Sequence, residues 1–176
     1  MKTLLLGLVL GVAAVAAGAY LYFSLGYAPV ATSAPPMPFE ERMAKMALAA
    51  RIAKEVPSGV PVPADEANLL AGAQLYQEHC AVCHGLKGQP ETAIAKGMFP
   101  KPPQLFEGHG VTDDPAGETY WKAKNGIRLT GMPGFGASLS EQQLWQVSLL
   151  LAHADKLPSS AQKVLNSPTA IRQPSI

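Results

Sequence analysis

The sequence predicts an all-α chain in which one long apolar helix precedes a small domain of three to four helices. Three observations predict this class. A long apolar run occupies the start of the chain, later apolar residues recur at three- and four-residue intervals, and no segment is rich in strand-like alternation. The 176 residues suffice for one domain with appendages.

The composition excludes some classes of function. The formal net charge is +1, so nothing favours a strongly charged partner, and we expect no nucleic-acid binding. The chain has 2 cysteines, and both fall within one short motif, which leaves no disulfide framework. The 16 glycines and 16 prolines are many for a helical protein and favour long, shaped loops.

Residues 1–27 are predicted to form a transmembrane anchor that contacts membrane lipid. As a helix, the apolar run from Leu4 to Leu25 would span roughly 33 Å, enough for a bilayer core. The only charged residue before Glu40 is Lys2. Aromatic residues near the end of the run are typical of an interfacial belt: Tyr20, Tyr22, Phe23 and Tyr27.

A cleaved signal peptide is the alternative for the same segment. Such peptides have an apolar core of about 7–15 residues followed by a small-residue cleavage site. Ala17-Gly18-Ala19 fits such a site, although the apolar run continues beyond it. Under either interpretation, the bulk of the chain is exported.

Residues 28–63 are predicted to be a linker that contains one helix. Alanine, proline, serine and threonine dominate its start, and an amphipathic helix is predicted over 39–56, with Phe39, Met43 and Met46 on one face. Prolines and a glycine then end the helix. Whether this helix lies on the membrane, packs on the domain, contacts a partner or is a solvated spacer stays open.

The compact domain is predicted over 64–157. Asp65 is a plausible N-cap for a helix that runs to about His79. A loop-rich region follows, and then a shorter helix from Ala116 to Asn125, ended by Gly126. The Ser140–Gln143 segment has the form of a capping box, which starts a last helix reaching about Ala154. Residues 158–176 are predicted to be a flexible tail.

The most informative motif is Cys80-Ala81-Val82-Cys83-His84. Its Cys-x-x-Cys-His spacing is the attachment signature of c-type haem, in which two thiols on one helical turn add to the vinyl groups of one porphyrin. The adjacent His84 then lies beneath the ring as the proximal iron ligand. A thioredoxin-like pair needs a βαβ context, and a zinc site needs further ligands. We therefore expect one covalently bound haem c.

Met132 is the predicted distal ligand. A thioether is soft and uncharged, so it favours ferrous iron and raises the reduction potential. Gly131 permits unusual backbone angles, and Pro133 restrains the residue before it. Met98 and His109 are weaker candidates for the distal ligand. His79 and His153 suit surface or helix-end positions.

Together these residues resemble the class I, single-haem cytochrome c family, in its membrane-anchored bacterial type. The resemblance covers residues 64–157 and includes Gly72 and Tyr76 before the first cysteine, the Asn125–Pro133 stretch, and Trp145 in the last helix. It implies a small cytochrome c fold of three to four helices wrapped around one haem. It also implies that Gly72 lets the first and last helices cross closely, where Leu150 replaces the family's aromatic residue.

The resemblance suggests further haem contacts. The carbonyl of Pro102 or Pro103 would accept the proton of the proximal histidine, which fixes the orientation of its ring. Trp121 would donate to a haem propionate or simply pack in the core. Arg128 would pair with a propionate or remain an exposed arginine.

These features predict an electron-transfer protein rather than an enzyme. A haem with both axial positions filled by protein has no place for a small-molecule substrate, so it exchanges single electrons with redox partner proteins, one donor and one acceptor, of a respiratory or dehydrogenase system. The protein would sit in a bacterial inner membrane with its haem domain in the periplasm, or be soluble there after cleavage. The alternatives are a haem-based sensor or peroxidase-like domain in which Met132 dissociates, and a zinc or thiol-redox module.

Overall fold

The computed structural model describes residues 1–107 and 114–167, and within these ranges every regular element is helical. The all-α prediction is confirmed. The elements are α1 (Lys2–Ser24), α2 (Glu40–Glu55), α3 (Glu66–Leu75), a π-helical turn (Tyr76–Cys80), α4 (Ala81–His84), α5 (Ala93–Gly97), α6 (Ala116–Asn125), α7 (Glu141–Ala152) and α8 (Ser159–Asn166).

The first compact unit is Met1–Ala44 and contains α1. None of the residues of α1 is buried. Within the described ranges, it is the one helix long and apolar enough to cross a membrane. A signal sequence near an N-terminus has the same properties, so both interpretations of this helix remain open.

The second unit starts at Lys45, inside α2, rather than at the predicted Ala64. Ile52 is the one buried residue of α2, with 5% of its surface exposed. Val62 packs against a cluster that joins α6 to α7 and consists of Tyr120, Ala123, Leu144 and Trp145. The second half of the predicted linker is therefore part of the folded domain, because Ile52 is buried and Val62 packs against this cluster.

Helices α3 and α7 cross at Gly72, as predicted. A Cβ atom at Gly72 would lie 2.8 Å from the carbonyl carbon of Gln146 and 3.1 Å from Cβ of Leu150. Only a residue without a side chain permits this approach. Leu150 is fully buried at the crossing.

The helix predicted to run to about His79 changes character at Tyr76. There the backbone widens into a π-helical turn that ends at Cys80, and α4 follows. The buried Tyr76 hydroxyl donates to the carbonyl of Gly85 at 2.8 Å, which joins the two ends of this region. The local sequence pattern cannot distinguish these helix types, since their side chains differ by one position per turn.

The predicted flexible tail is wrong for Ser159–Asn166, which form α8. Ala161 and Leu165, four residues apart, are 0% and 5% exposed and belong to the main core beside Tyr76. The side-chain amide of Gln77 also donates to the carbonyl of Val164 at 3.1 Å. A short amphipathic segment of this kind is stabilised by tertiary packing rather than by helix propensity. Residues 168–176 lie outside the described ranges.

Candidate functional site

The π-helical turn and α4 carry the Cys-x-x-Cys-His motif. Cys80 and Cys83 are free and partly buried. Burial raises the pKa of Cys80 to about 12, and the neighbouring Cys83 contributes in the same direction. Burial also raises the pKa of Cys83. Both groups are therefore protonated thiols at neutral pH, unlike the low-pKa thiolate of a redox-active pair.

His84 is held by one hydrogen bond that defines its chemistry. Its Nδ1 atom lies 2.8 Å from the carbonyl oxygen of Pro103, so Pro103 rather than Pro102 supplies this carbonyl. A carbonyl only accepts, so Nδ1 carries the proton, and the lone pair of Nε2 is left for a metal. Burial lowers the pKa of His84, and the bond to Pro103 opposes this effect. The ring is therefore neutral and suited to ligation.

The loop that carries Met132 folds back on its own start. The amide of Ile127 donates to the carbonyl of Met132 at 3.2 Å, and the amide of Met132 donates to the Thr130 hydroxyl at 3.1 Å. Gly126 has φ +69°, and a Cβ atom there would lie 2.9 Å from the carbonyl oxygen of Met132. The sharp turn therefore needs glycine at this position.

Gly131 has a different role from the predicted one. Gly126 has a positive φ angle, whereas Gly131 does not. The end of the Met98 side chain instead lies where a side chain at Gly131 would be, with its sulfur 3.4 Å from that position. Gly131 makes room for Met98 rather than relieving strain.

The cysteine motif and the Met132 loop are connected indirectly. The Thr92 hydroxyl donates to the carbonyl of Val82 at 2.6 Å, which fixes α5 to α4. Met98 follows α5 and contacts Gly131 of the loop. On another side, the rings of His79 and Phe135 lie 5.8 Å apart. These links bring the segments of both predicted iron ligands into one region.

The segments around this region expose apolar side chains. Ile94 is 49% exposed, Phe99 is 39% exposed, and Leu129, with φ +60°, is 92% exposed. Leaving apolar surface in water is unfavourable by about 25 cal/mol per Å². Two thiols, an imidazole with a free Nε2, a thioether and apolar side chains on the same segments fit a haem by their chemistry.

Two further residues, Trp121 and Arg128, were predicted to contact a haem propionate, and the structure shows the surroundings of each. The indole N–H of Trp121 donates to Oε2 of Glu55 at 3.0 Å. Because an indole has a single donor, this bond uses the group that was predicted to reach a haem carboxylate. Arg128 is exposed in the loop between Gly126 and Gly131. His109, a weaker ligand candidate, lies outside the described residues.

Sequence reasoning missed the contact that Glu55 makes with Trp121 because Glu55 lies in a segment interpreted as linker. A signal was present at Gly117, a glycine inside the first turn of α6. A Cβ atom there would lie 2.9 Å from Cγ2 of Val56. Since glycine weakens a helix, its presence indicates a close approach by another segment.

Three lysines of the domain are paired with acidic residues. The ion pairs are Lys101 with Glu91 at 3.0 Å, Lys124 with Glu141 at 2.9 Å, and Lys122 with Asp114. The hydrogen bonds that Lys124 donates to Glu141 and to Tyr120 raise the pKa of Lys124, and the bond to Glu141 has the larger effect. This part of the surface is mixed in charge rather than uniformly basic.

A family model and a solved structure are similar to parts of this chain. Residues 67–149 match the model of a family described as cytochrome c oxidase, cbb3-type, subunit III. A solved chain of the reducing HAO-like protein complex of Kuenenia stuttgartiensis is 25% identical, with a TM-score of 0.49, over 57% of this chain. This chain spans about half of that one, 49% of its length. No curated protein matches the sequence.

Proposed function

Because this chain carries a cytochrome c domain of the class I, single-haem family, and is therefore an electron-transfer protein, we propose that it is a membrane-tethered carrier whose haem c is ligated by His84 and Met132. The haem supplies an iron that alternates between ferric and ferrous states. The observation that carries the proposal is the hydrogen bond from Nδ1 of His84 to the carbonyl of Pro103. This bond leaves the lone pair of Nε2 available to bind the iron.

Cys80 and Cys83 would hold the haem covalently. Each thiol would add across one vinyl group, with its sulfur bonded to one carbon and its proton to the other, so attachment would need no external oxidant. Both cysteines are free rather than joined in a disulfide, which supports this use. Covalent attachment prevents loss of the cofactor outside the cytoplasm.

Met132 would supply the distal ligand. Its half-buried position in a loop bonded to itself, and the contact of Met98 with the neighbouring Gly131, support this assignment over a surface role. Held by the imidazole of His84 and the thioether of Met132, the haem would pass single electrons to partner proteins. Arg128, exposed in the same loop, remains our candidate for pairing with a propionate.

The tether would be α1, with the haem domain in the periplasm. Its apolar, fully exposed surface supports a place in a bilayer. A tether confines the domain near membrane-bound donors and acceptors, which raises their effective concentration without any new contact. Fractionation followed by N-terminal sequencing distinguishes a retained anchor from a cleaved signal.

The ligand assignment is tested by expressing the chain with c-type maturation machinery and comparing Met132→Ala with wild type. The wild type should retain haem in denaturing electrophoresis. Met132→Ala should lower the reduction potential and admit carbon monoxide to the ferrous iron. Met46→Ala, on the exposed face of α2, is the matched control and should change neither property.

Two results would contradict the proposal. An unchanged potential in Met132→Ala would mean that another residue is the distal ligand. Rapid, stoichiometric binding of carbon monoxide to the wild type would favour the sensor or peroxidase-like alternative, in which the methionine leaves the iron.

A further inference from the structure

The segment 45–62, here called the strap, connects the tether to the haem domain and lies against α6. Within the strap, Ile52 is buried, and Val62 at the end of the strap packs against the cluster of Tyr120 and Trp145. An unattached spacer would not bury apolar residues in this way. The strap is therefore built into the domain that binds the cofactor.

Gly117 lies where the strap approaches α6 closely. A Cβ atom at Gly117 would lie 2.9 Å from Cγ2 of Val56 and 3.3 Å from the carbonyl oxygen of Pro57. A side chain at this position would therefore displace the Val56 side chain and shift the backbone at Pro57 by a few tenths of an ångström. The missing side chain of Gly117 thus leaves space for the strap, here called the socket, at a helical position where alanine would otherwise be favoured.

Glu55 provides a directional contact next to this socket. One carboxylate oxygen accepts the indole N–H of Trp121 at 3.0 Å, and the other lies 2.6 Å from Nη2 of Arg51. Arg51 and Glu55 are one turn apart on α2, so the pair orients the carboxylate toward α6. A hydrogen bond to a charged acceptor is stronger than a neutral one.

The far end of α6 is bonded to the loop that carries Met132. The amide of Phe135 donates to the carbonyl of Ala123 at 2.9 Å, and the amide of Gly136 donates to the carbonyl of Lys124 at 3.0 Å. The loop leaves α6 at Gly126, directly against the Met132 carbonyl. Any shift of α6 therefore moves the backbone on both sides of Met132.

We propose that the strap positions α6 and, through it, the Met132 loop, so that Glu55 and Gly117 are positioning residues for the distal iron ligand. This inference rests on the proposed function, in which Met132 is that ligand. The strap then couples the tether to the iron: displacement of the strap from α6 loosens the loop, and Met132 leaves the iron more often.

The test measures how fast imidazole binds to the ferric, full-length holoprotein, because imidazole enters only after Met132 has left. Glu55→Ala removes the acceptor of the Trp121 bond and should speed binding about fivefold, the factor that corresponds to one net hydrogen bond. Glu55→Gln keeps an acceptor oxygen and should lie closer to wild type. Asp155→Ala, which removes a carboxylate far along the chain from the strap, is the control.

Two further variants separate positioning from a general loss of stability. Trp121→Phe should match Glu55→Ala, and the double variant should be no faster than either, because both remove the same bond. Gly117→Ala should also speed imidazole binding, although alanine is the better helix former. A purely local role for Gly117 predicts the opposite sign.

The sulfur-to-iron charge-transfer band distinguishes failure of this inference from failure of the proposed function. If wild-type ferric protein lacks the band, Met132 is not the ligand, and both are overturned. If the band is present in wild type and absent in Met132→Ala, but Glu55→Ala binds imidazole at the rate of Asp155→Ala, only the strap inference is overturned.

Discussion

Replacing Gly72 with alanine tests the packing that holds the domain together. The new methyl group would lie 2.8 Å from the carbonyl carbon of Gln146 and 3.1 Å from Cβ of Leu150, and the backbone of α7 has little freedom to move away. Overpacking of this kind costs about 3 kcal/mol at its upper end. The better helix propensity of alanine returns about 1 kcal/mol. We therefore expect a loss of about 2 kcal/mol in the free energy of unfolding.

The assay is denaturant unfolding of the holoprotein followed by far-UV circular dichroism. For a chain of this size, the loss corresponds to a decrease of about 4–8 °C in Tm. Gly97→Ala is the matched control, since a Cβ atom at Gly97 has nothing within 4 Å. A Gly72→Ala protein as stable as Gly97→Ala would refute the close crossing of α3 and α7.

Three further predictions concern contacts outside the crossing. Leu165→Ala should cost about 2–4 kcal/mol of unfolding free energy, because this side chain packs α8 into the core. Lys163→Ala, at an exposed position of the same helix, is the control and should cost under about 0.5 kcal/mol. Equal effects of the two variants would mean that α8 is not packed. Tyr76→Phe should cost about 1–2 kcal/mol, since it leaves a buried carbonyl without its donor, and a neutral result in the same unfolding assay would contradict that bond. The hydrogen bond from Lys124 lowers the pKa of Glu141, so this pair stabilises the fold above the ordinary pKa of glutamate and stops doing so as the pH falls through the lowered value. Unfolding measured across this acidic range should therefore show a stability difference between wild type and Glu141→Gln that shrinks on acidification; a constant difference would contradict the pair.

In our proposal, the coupling of the strap to α6 would give the tether a role beyond attachment. A linker that only spaces a domain from a membrane has no reason to bury Ile52 or to occupy the socket at Gly117. In our proposal, the same residues that end the linker also restrain the loop of Met132. Binding of a partner near the strap would then change how firmly the iron is ligated.

The sequence by itself determined the features whose causes are local. The helix predicted over Ala116–Asn125 is confirmed at both ends. It stops after Asn125 because Gly126 adopts a positive φ angle. The capping box at Ser140 is also confirmed, with both of its hydrogen bonds formed. The Cys-x-x-Cys-His motif needs only one turn of chain to place its three side chains.

Only the tertiary structure decided the features that depend on distant segments. The choice of Pro103 over Pro102 required the fold, since both carbonyls lie close together in sequence and one of them meets His84. The packing of α8 and the bond from Trp121 to Glu55 were likewise invisible, because each joins residues more than sixty positions apart. Local patterns encode which helices form, whereas the partner of a side chain is decided by the surfaces that those helices bury against one another.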